Sequence, residues 1–249
     1  MIVAPPITRD RSGWYSTPAG RFPSVTTMLH DSIGAPEQLV DWSVKQERDR
    51  CARLATQAAI DAKLGHLSVM NIVAFMAERL KGPYAYKGVR DAAATRGTAV
   101  HAWIEAHLRA GRATALSEAD TAIRVPVEAW LRWADAVQFE ATHIEVGLYS
   151  AALGVAGTAD AIGRVRGRTL LLDWKSGSGI RFAAQLQTAL YHAMAVEQGL
   201  LDPQSGVQIV RTPWRVGDEC EVIAADGDTL ARWGQWAHAA RVLWQAQQT

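Results

Sequence analysis

The chain has 249 residues, of which 49% are hydrophobic and 20% charged, and its formal net charge is +1 at pH 7. These values are typical of a globular protein with a substantial core, and the charge gives no overall signal for a polyanionic partner. Two cysteines, Cys51 and Cys220, are too few for an iron–sulfur cluster or a CxxC zinc site, so we expect two reduced, mostly buried thiols. The sequence shows neither a signal peptide nor a membrane-length apolar run, so we expect a soluble, cytoplasmic protein.

The first 89 residues are predicted to be a mostly helical segment. Residues 1–23 are rich in proline and glycine and should be extended or turn-rich. Ser24 can cap a short helix from Val25 to His30. Two longer helices follow over residues 36–63 and 67–80, and Gly82-Pro83 should end the second of them.

The rest of the chain predicts an α/β core. The expected order is a helix over 90–110 that Gly111 stops, a helix within 118–138 disturbed near Pro126, strands over 143–150, 155–165 and 169–175, a helix over 182–198, strands over 206–212 and 219–224, and a closing helix over 228–247. This order indicates one mixed sheet flanked by helices. We therefore expect a single domain with the N-terminal segment 1–89, a core 90–225 and a C-terminal helix 226–249.

Two carboxylates and a lysine follow one another on neighbouring predicted strands. Alternate residues of a strand share a face, so Asp173 and Lys175 should project together, at the sheet's edge or mouth because isolated buried charges are costly. A short turn at Gly167 can bring Asp160 alongside Asp173. Two carboxylates and a backbone carbonyl, here that of Trp174, form an oxygen-rich site for Mg²⁺ or Mn²⁺. Lys175 could then orient or deprotonate a water; an Asp-x-Lys pair alone is also common on protein surfaces.

An amide and a phenol follow on the next predicted helix. Gln187 and Tyr191 are four residues apart and so share a face. The amide could contact a phosphate or a metal-bound water, and the phenol could bind phosphate or stack on a base. The alternative is a core tyrosine beside a surface glutamine.

Further candidates lie upstream of the carboxylates. His101 could complete the metal's ligands with Glu105 orienting its ring, and Gly97 could let the backbone approach DNA beside Arg96. Glu145 on the first strand of the core is a candidate third acidic group, although a solvent-facing carboxylate fits the pattern equally well. Among the other histidines, His107, His143 and His192 are interpreted as structural.

These residues resemble the PD-(D/E)xK nuclease superfamily and, within it, the RecB-like exonuclease branch. The matching motifs are Gly-x-x-x-His at 97–101, Gly-x-x-Asp at 157–160, Asp-x-Lys at 173–175 and Gln-x-x-x-Tyr at 187–191, in that order. The resemblance implies a restriction-endonuclease-like fold and metal-dependent DNA cleavage. It further implies His101, Asp160 and Asp173 as metal ligands and Lys175 as base or charge stabiliser.

The chain departs from the branch in a few respects. Ala159 replaces the proline that commonly precedes the motif aspartate, and the cysteines of cluster-bearing relatives are missing, so no iron–sulfur cluster is expected. No Walker motif occurs, so no nucleotide cofactor is expected either.

The favoured hypothesis is a small phage-type, Mg²⁺- or Mn²⁺-dependent DNA exonuclease acting in recombination, end processing or phage DNA metabolism. Alternatives are a structure-specific endonuclease or an RNA-directed nuclease of the same fold, a catalytically silent nucleic-acid-binding module, and a metabolic hydrolase. The expected partner is single- or double-stranded DNA. A recombination or replication protein and a second copy of the chain stay open as further partners, and no membrane contact is expected.

Overall fold

A computed structural model describes residues 6–33, 37–66, 68, 71–80, 84–111 and 114–248. The chain divides into two compact units, one formed by Met1–Gly34 with Arg96–Thr249 and the other by Ala35–Thr95. Counted in chain order, the helices are α1 Val25–Ile33, α2 Glu37–Lys63, α3 Ile72–Leu80, α4 Ala85–Arg109, α5 Arg124–Ala136, α6 Phe182–Glu197 and α7 Gly227–Ala246. The strands are β1 Thr8–Arg9, β2 Trp14–Thr17, β3 Gly20–Pro23, β4 Glu140–Ser150, β5 Val155–Val165, β6 Arg168–Lys175, β7 Gly206–Arg211 and β8 Glu221–Ala225.

The smaller unit is helical, as predicted for this part of the chain. It contains α2, α3 and the first turns of α4, whose later turns belong to the larger unit. Helix α3 begins at Ile72 rather than at residue 67. The predicted start and stop signals Pro36 and Gly82-Pro83 lie outside the described residues.

The extended N-terminal stretch is a small antiparallel sheet in the order β1-β2-β3. Thr17 and Gly20 face each other across the turn between β2 and β3. Helix α1 follows directly, and the predicted cap is confirmed because the Thr27 N–H donates to Ser24 Oγ at 2.9 Å. Residues 1–23 were predicted only to be extended or turn-rich, because strands this short leave almost no periodic signal.

The larger unit is built on one five-stranded mixed sheet in the order β4-β5-β6-β7-β8. Only the β6–β7 pair is parallel. The connection from β6 to β7 runs through α6, as a parallel pair requires. Between β5 and β6, Arg166 (φ 49°) and Gly167 (φ 79°) form the tight turn predicted at Gly167. The predicted mixed sheet flanked by helices is therefore confirmed.

The sheet separates two hydrophobic cores. One face packs against α1, α6 and α7 and contains Leu171 of the central strand. The other face packs against α4 and α5 and contains Leu170, Leu172 and Trp174. This alternation along β6 is the one predicted from the strand period, and it leaves Asp173 and Lys175 on the α6 side.

The helices of this unit begin and end where local chemistry allows. Gly111 adopts φ 61° directly after α4, the left-handed stop that its lack of a Cβ permits. The helix predicted within 118–138 is two pieces, a 3-10 helix Glu118–Ile123 and then α5. Pro126 sits in the first turn of α5, where its missing N–H costs no helical hydrogen bond.

The structure also bears on the cysteines and on the expected absence of membrane-length apolar segments. Cys51 and Cys220 are both free, but Cys51 is exposed, so the prediction of two mostly buried thiols is wrong for it. The amphipathic helix α2 places this residue on an outward position. Within the described ranges, none of the helices has the length and apolar character that crossing a bilayer demands.

Candidate active site

The charged pair Asp173 and Lys175 lies at the C-terminal end of β6, the central strand of the sheet. Asp173 is only 3% exposed and Lys175 28%, with Lys175 Nζ 2.6 Å from Asp173 Oδ2. Lys175 is thus the partner of Asp173 Oδ2, an oxygen that is itself buried. The pair thus lies at the mouth of the sheet, one of the two predicted positions, and not on an edge strand.

Asp160 of β5 lies beside this strand end. The last paired residues are Ala161 and Leu172, so Asp160 extends just past the ladder toward Asp173. The Trp174 N–H donates to Asp160 Oδ2 at 2.6 Å. The predicted approach of the two carboxylates across the Gly167 turn is therefore present.

His101 of α4 completes this corner of the site. Its Nδ1–H donates to Asp160 Oδ1 at 3.1 Å. Burial lowers the pKa of His101, but the adjacent charge of Asp160 and its hydrogen bond outweigh burial and raise that pKa above its usual value. Burial likewise raises the pKa of Asp160, and His101, Lys175 and the Trp174 N–H together reverse this and lower it. Asp160 is thus held ionised, with the imidazole against it.

The backbone of β6 also faces this corner. The Thr212 N–H donates to the Lys175 carbonyl at 2.8 Å, on the β7 side of the strand. Successive carbonyls of a strand point to opposite sides, so the Trp174 carbonyl points toward β5 and Asp160. This is the direction that a metal-ligating carbonyl at Trp174 requires.

The charges of Asp173 and Lys175 depend on each other. Burial raises the pKa of Asp173 to about 6; Lys175 opposes this rise and the negative charge of Asp160 adds to it. Burial lowers the pKa of Lys175, but the two carboxylates outweigh it and raise that pKa above its usual value. Lys175 is therefore a stable cation in this arrangement.

Gln187 and Tyr191 of α6 form a hydrogen-bonded chain with the lysine. Lys175 Nζ donates to Gln187 Oε1 at 3.1 Å, and Gln187 Nε2 donates to the Tyr191 hydroxyl at 2.9 Å. Burial raises the pKa of Tyr191 far above its usual value, so the phenol stays neutral. A Cβ on Gly157 would fall 2.4 Å from Tyr191 Cε1, so the motif glycine makes room for the ring.

Three residues that the sequence analysis did not single out line the same region. The Tyr15 hydroxyl is 3.2 Å from Thr158 Oγ1, and Gln187 Nε2 donates to Thr26 Oγ1 at 3.4 Å. These contacts join β2 and α1 to β5 and α6 across sequence separations of 143 and 161 residues. No local pattern could have indicated them.

Arg96 and Gly97 lie against the loop that follows Lys175. A Cβ on Gly97 would fall 2.7 Å from Ser176 Oγ, so this glycine allows α4 to approach the loop closely. The guanidinium of Arg96 lies over the ring of Trp214, 5.3 Å from its centroid. The Trp214 indole N–H in turn donates to the Ser176 carbonyl. Trp214 and Ser176 were not predicted, and the predicted DNA contact of Gly97 stays a prediction.

Glu105 and Glu145 lie at the His101 side of the site. Glu105 accepts a hydrogen bond from Arg109 at 2.8 Å, so the hydrogen-bond partner that orients His101 is Asp160 and not Glu105. Glu145 has φ 52°, an uncommon conformation for a residue with a side chain. Burial raises its pKa to about 7, and the charges of Asp160 and Glu105 contribute to the rise.

The three histidines interpreted as structural, His107, His143 and His192, have local contacts of that kind. His107 Nδ1 donates to the Thr114 carbonyl at 3.0 Å and His192 Nε2 to that of Ser205 at 2.8 Å. His143 Nδ1 lies 3.2 Å from the hydroxyl of the adjacent Thr142. None of these contacts reaches the carboxylate site.

The donor set of the site suits a divalent cation. Among the described residues, no three histidine, cysteine or acidic side chains already surround one point as metal ligands do. His101 and Lys175 instead neutralise one carboxylate each. However, the negative charge of Asp160 raises the cost of ionising the buried Asp173. A hard cation between the two carboxylates and the Trp174 carbonyl would lower this cost.

Comparison with known proteins gives the family. The model of the PD-(D/E)XK nuclease superfamily matches residues 73–248, which is more than half of the chain. No curated protein matches the sequence.

Two solved structures are similar in part. A candidate exonuclease from Eubacterium rectale aligns with 8% identity and a TM-score of 0.42 over 61% of this chain and 68% of its own. The nuclease LHK-Exo in complex with dAMP aligns with 16% identity and a TM-score of 0.29 over 60% of this chain and 80% of its own. The matched region of the family model includes β4–β8 and every predicted site residue. The chain therefore belongs to the PD-(D/E)XK nuclease superfamily and is a hydrolytic nuclease with a restriction-endonuclease-like fold.

Proposed function

We propose that this nuclease is a DNA exonuclease of the RecB-like branch that depends on Mg²⁺ or Mn²⁺. The observation that carries the proposal is the cluster of Asp160, Asp173 and Lys175 at the end of the central strand, bonded through Gln187 to Tyr191. The four motifs quoted above thus converge on one corner of the larger unit. Their order along the chain is that of the RecB-like branch.

Each residue has a specific task in this proposal. Asp160, Asp173, His101 and the Trp174 carbonyl would hold the metal. A bound Mg²⁺ or Mn²⁺ lowers the pKa of its water and stabilises developing charge on phosphate. Because Lys175 is held as a cation, we assign it to orienting the attacking water and neutralising the phosphate rather than to proton abstraction.

Gln187 and Tyr191 position the lysine. The amide fixes Lys175 Nζ through Oε1 and uses its own N–H on the phenol, so both ends of Gln187 are engaged. The exposed guanidinium of Arg96 is in turn available to a phosphate oxygen, while the buried phenol anchors the amide of Gln187. Glu105 and Glu145 do not belong to the hydrogen-bonded series Lys175–Gln187–Tyr191. They would act only on the His101 side of the site.

The biological setting follows from the chemistry of linear DNA. We place the enzyme in recombination, DNA end processing or phage DNA metabolism, in the cytoplasm, where it would act with a recombination or replication protein or as a homo-oligomer. No nucleotide cofactor or iron–sulfur cluster enters the reaction.

The test uses purified protein with end-labelled linear single-stranded DNA, linear double-stranded DNA and covalently closed circles, each with and without Mn²⁺. We expect metal-dependent loss of linear DNA while circles survive, and no loss with the Asp173→Asn variant. Cleaved circles would establish the endonuclease alternative. Binding of DNA without any cleavage would establish a silent module, and cleavage of labelled RNA alone would move the substrate to RNA.

A further inference from the structure

Two aromatic side chains outside the active site lie together on the surface of the larger unit. Phe182 begins α6 and Trp236 lies in the middle of α7, with ring centroids 5.5 Å apart and ring planes inclined by 55°. Phe182 is 49% exposed and Trp236 is 42% exposed. The two rings thus leave aromatic surface in water, where it is accessible to a ligand.

Two arginines flank this aromatic pair. Arg181 directly precedes Phe182, and Arg232 lies one helical turn before Trp236 and so on the same side of α7. Both side chains are exposed. In the described ranges, neither guanidinium has a hydrogen-bond or ion-pair partner. The pair is therefore bordered by two uncompensated positive charges, which favour a polyanion over an apolar protein surface as its ligand.

The aromatic pair is close to the reacting groups along the chain. Only residues 176–181 separate Lys175, the end of β6, from Phe182. Gln187, which binds Lys175, follows Phe182 by five residues on α6, about 7 Å along the helix axis and about 140° around it. The two side chains therefore leave α6 on different sides. A strand bound at Lys175 could reach the pair by passing the N-terminal end of α6.

We propose that Phe182 and Trp236, with Arg181 and Arg232, bind the unpaired bases of a single DNA strand that extends from the active site. The proposal rests on the proposed function and narrows its substrate to DNA with a single-stranded stretch. Aromatic faces stack on any base, while guanidinium groups neutralise the neighbouring phosphates. Binding should therefore tolerate sequence changes and weaken with salt, and intact duplex should bind less tightly because its bases are already stacked.

The experiment measures binding and cleavage separately. Fluorescence anisotropy in EDTA gives the Kd of a labelled single-stranded oligonucleotide of about 16 nucleotides, within the length range of such sites. We expect the Kd of Phe182→Leu and of Trp236→Leu to rise roughly 5- to 100-fold each. Leucine keeps the surface apolar, so these variants remove stacking and leave a hydrophobic contact in place.

Matched variants distinguish stacking from other effects. Trp236→Phe keeps an aromatic ring and should restore most of the affinity. Leu243→Ala truncates another exposed apolar residue of α7, which is 56% exposed, and should leave the Kd unchanged. Arg181→Gln and Arg232→Gln should each weaken binding. Each should also reduce the magnitude of the slope of log K against log salt by about 1, the value for the loss of one phosphate contact.

The outcomes separate this proposal from the proposed function. If the wild type cleaves DNA and both leucine variants have an unchanged Kd, the stacking surface is overturned and the nuclease proposal stands. If the wild type never cleaves DNA but the Kd still rises in both leucine variants, the stacking surface is supported and the nuclease proposal is overturned. If Trp236→Leu changes the sedimentation of the protein but not its Kd for DNA, the stacking surface is overturned, and the aromatic pair is a contact between proteins instead.

Discussion

On one side of β6, Leu170, Leu172 and Trp174 pack into a dense aromatic core, whereas on the other side Asp173 and Lys175 enter a polar site. Trp174 has its ring 5.7 Å from Trp130 and 5.6 Å from Trp133. Alternating residues of one strand thus pack into the hydrophobic core on one face and place charged groups in the site on the other. Burial of large rings is strongly favourable, while burial of charges is costly even when they are paired. We infer that the aromatic side supplies the stability and rigidity that the charged side requires.

This comparison predicts that activity and stability respond to different sides of the strand. Substitutions on the polar side should abolish cleavage with small changes in unfolding free energy. Substitutions on the aromatic side should do the reverse until the fold fails. Four variants test this separation.

The largest effect is expected on activity, at Lys175. Lys175→Met should lower the rate of metal-dependent DNA cleavage by about a thousandfold or more, because the charge next to the phosphate is lost. The fold should persist, since Asp173 can take up a proton once its cation is removed. Gel assays and circular dichroism check the two halves of this prediction. Lys63→Met, at an exposed position of α2, is the control; equal rates for both variants would refute the role of Lys175.

The next effect is expected on stability, at Trp130. This ring is fully buried in the aromatic core, so Trp130→Ala should reduce the unfolding free energy by about 3–5 kcal/mol. Urea denaturation measures the loss. Trp236→Ala, which truncates a half-exposed indole, should cost much less. Similar losses in the two variants would show that the aromatic core is not the main source of stability.

A smaller effect is expected where α6 meets β5. Gly157→Ala places a methyl group 2.4 Å from Tyr191 Cε1 and should cost about 1–3 kcal/mol while displacing the phenol from Gln187. The melting temperature in thermal unfolding and the cleavage rate should both fall. Gly234→Ala in α7, where a Cβ meets no atom within 4 Å, should be neutral or slightly stabilising. A fully active Gly157→Ala variant would contradict the positioning of Lys175 through Tyr191.

The smallest effect is a dependence of stability on pH at Glu145. Its pKa is raised from 4.5 to about 7 in the folded chain, so the folded state binds its proton more tightly than the unfolded state. Its contribution to stability is therefore lost as pH rises from about 4.5 to 7. Glu145→Gln should match the wild type near pH 4.5 and exceed it by about 1 kcal/mol at pH 8, allowing for solvent screening of a partly exposed group.

Urea denaturation at both pH values measures this difference, with Glu140→Gln at the exposed start of β4 as the control. A constant difference between Glu145→Gln and the wild type across this range would show that Glu145 does not sense the charges of Asp160 and Glu105.

Much of the site could be predicted because its residues follow local periods. The strand period placed Asp173 and Lys175 on one face, and the four-residue helical spacing placed Gln187 and Tyr191 together. The turn chemistry at Gly167 brought Asp160 to the correct strand end. Each of these inferences depends only on neighbours within about 15 residues of one another.

What could not be predicted depends on distant contacts or on conformation. Tyr15 and Thr26 reach the site only through the folded packing of β2 and α1, and Trp214 meets Arg96 across the end of the sheet. The positive φ of Glu145 has no signal in a residue that normally avoids this region. The sequence also carries no signal that Glu105, one turn from His101, bonds Arg109 while His101 bonds Asp160.

The most direct test of the central claim is Mn²⁺-dependent cleavage of end-labelled linear DNA by the wild type and by Asp173→Asn, with thermal unfolding of both proteins as the control for folding. We expect the wild type to degrade the DNA only when Mn²⁺ is present, and the folded variant to leave it intact. Cleavage by a folded Asp173→Asn variant at the wild-type rate, or wild-type cleavage that persists in EDTA, would contradict a metal site built on the two buried carboxylates.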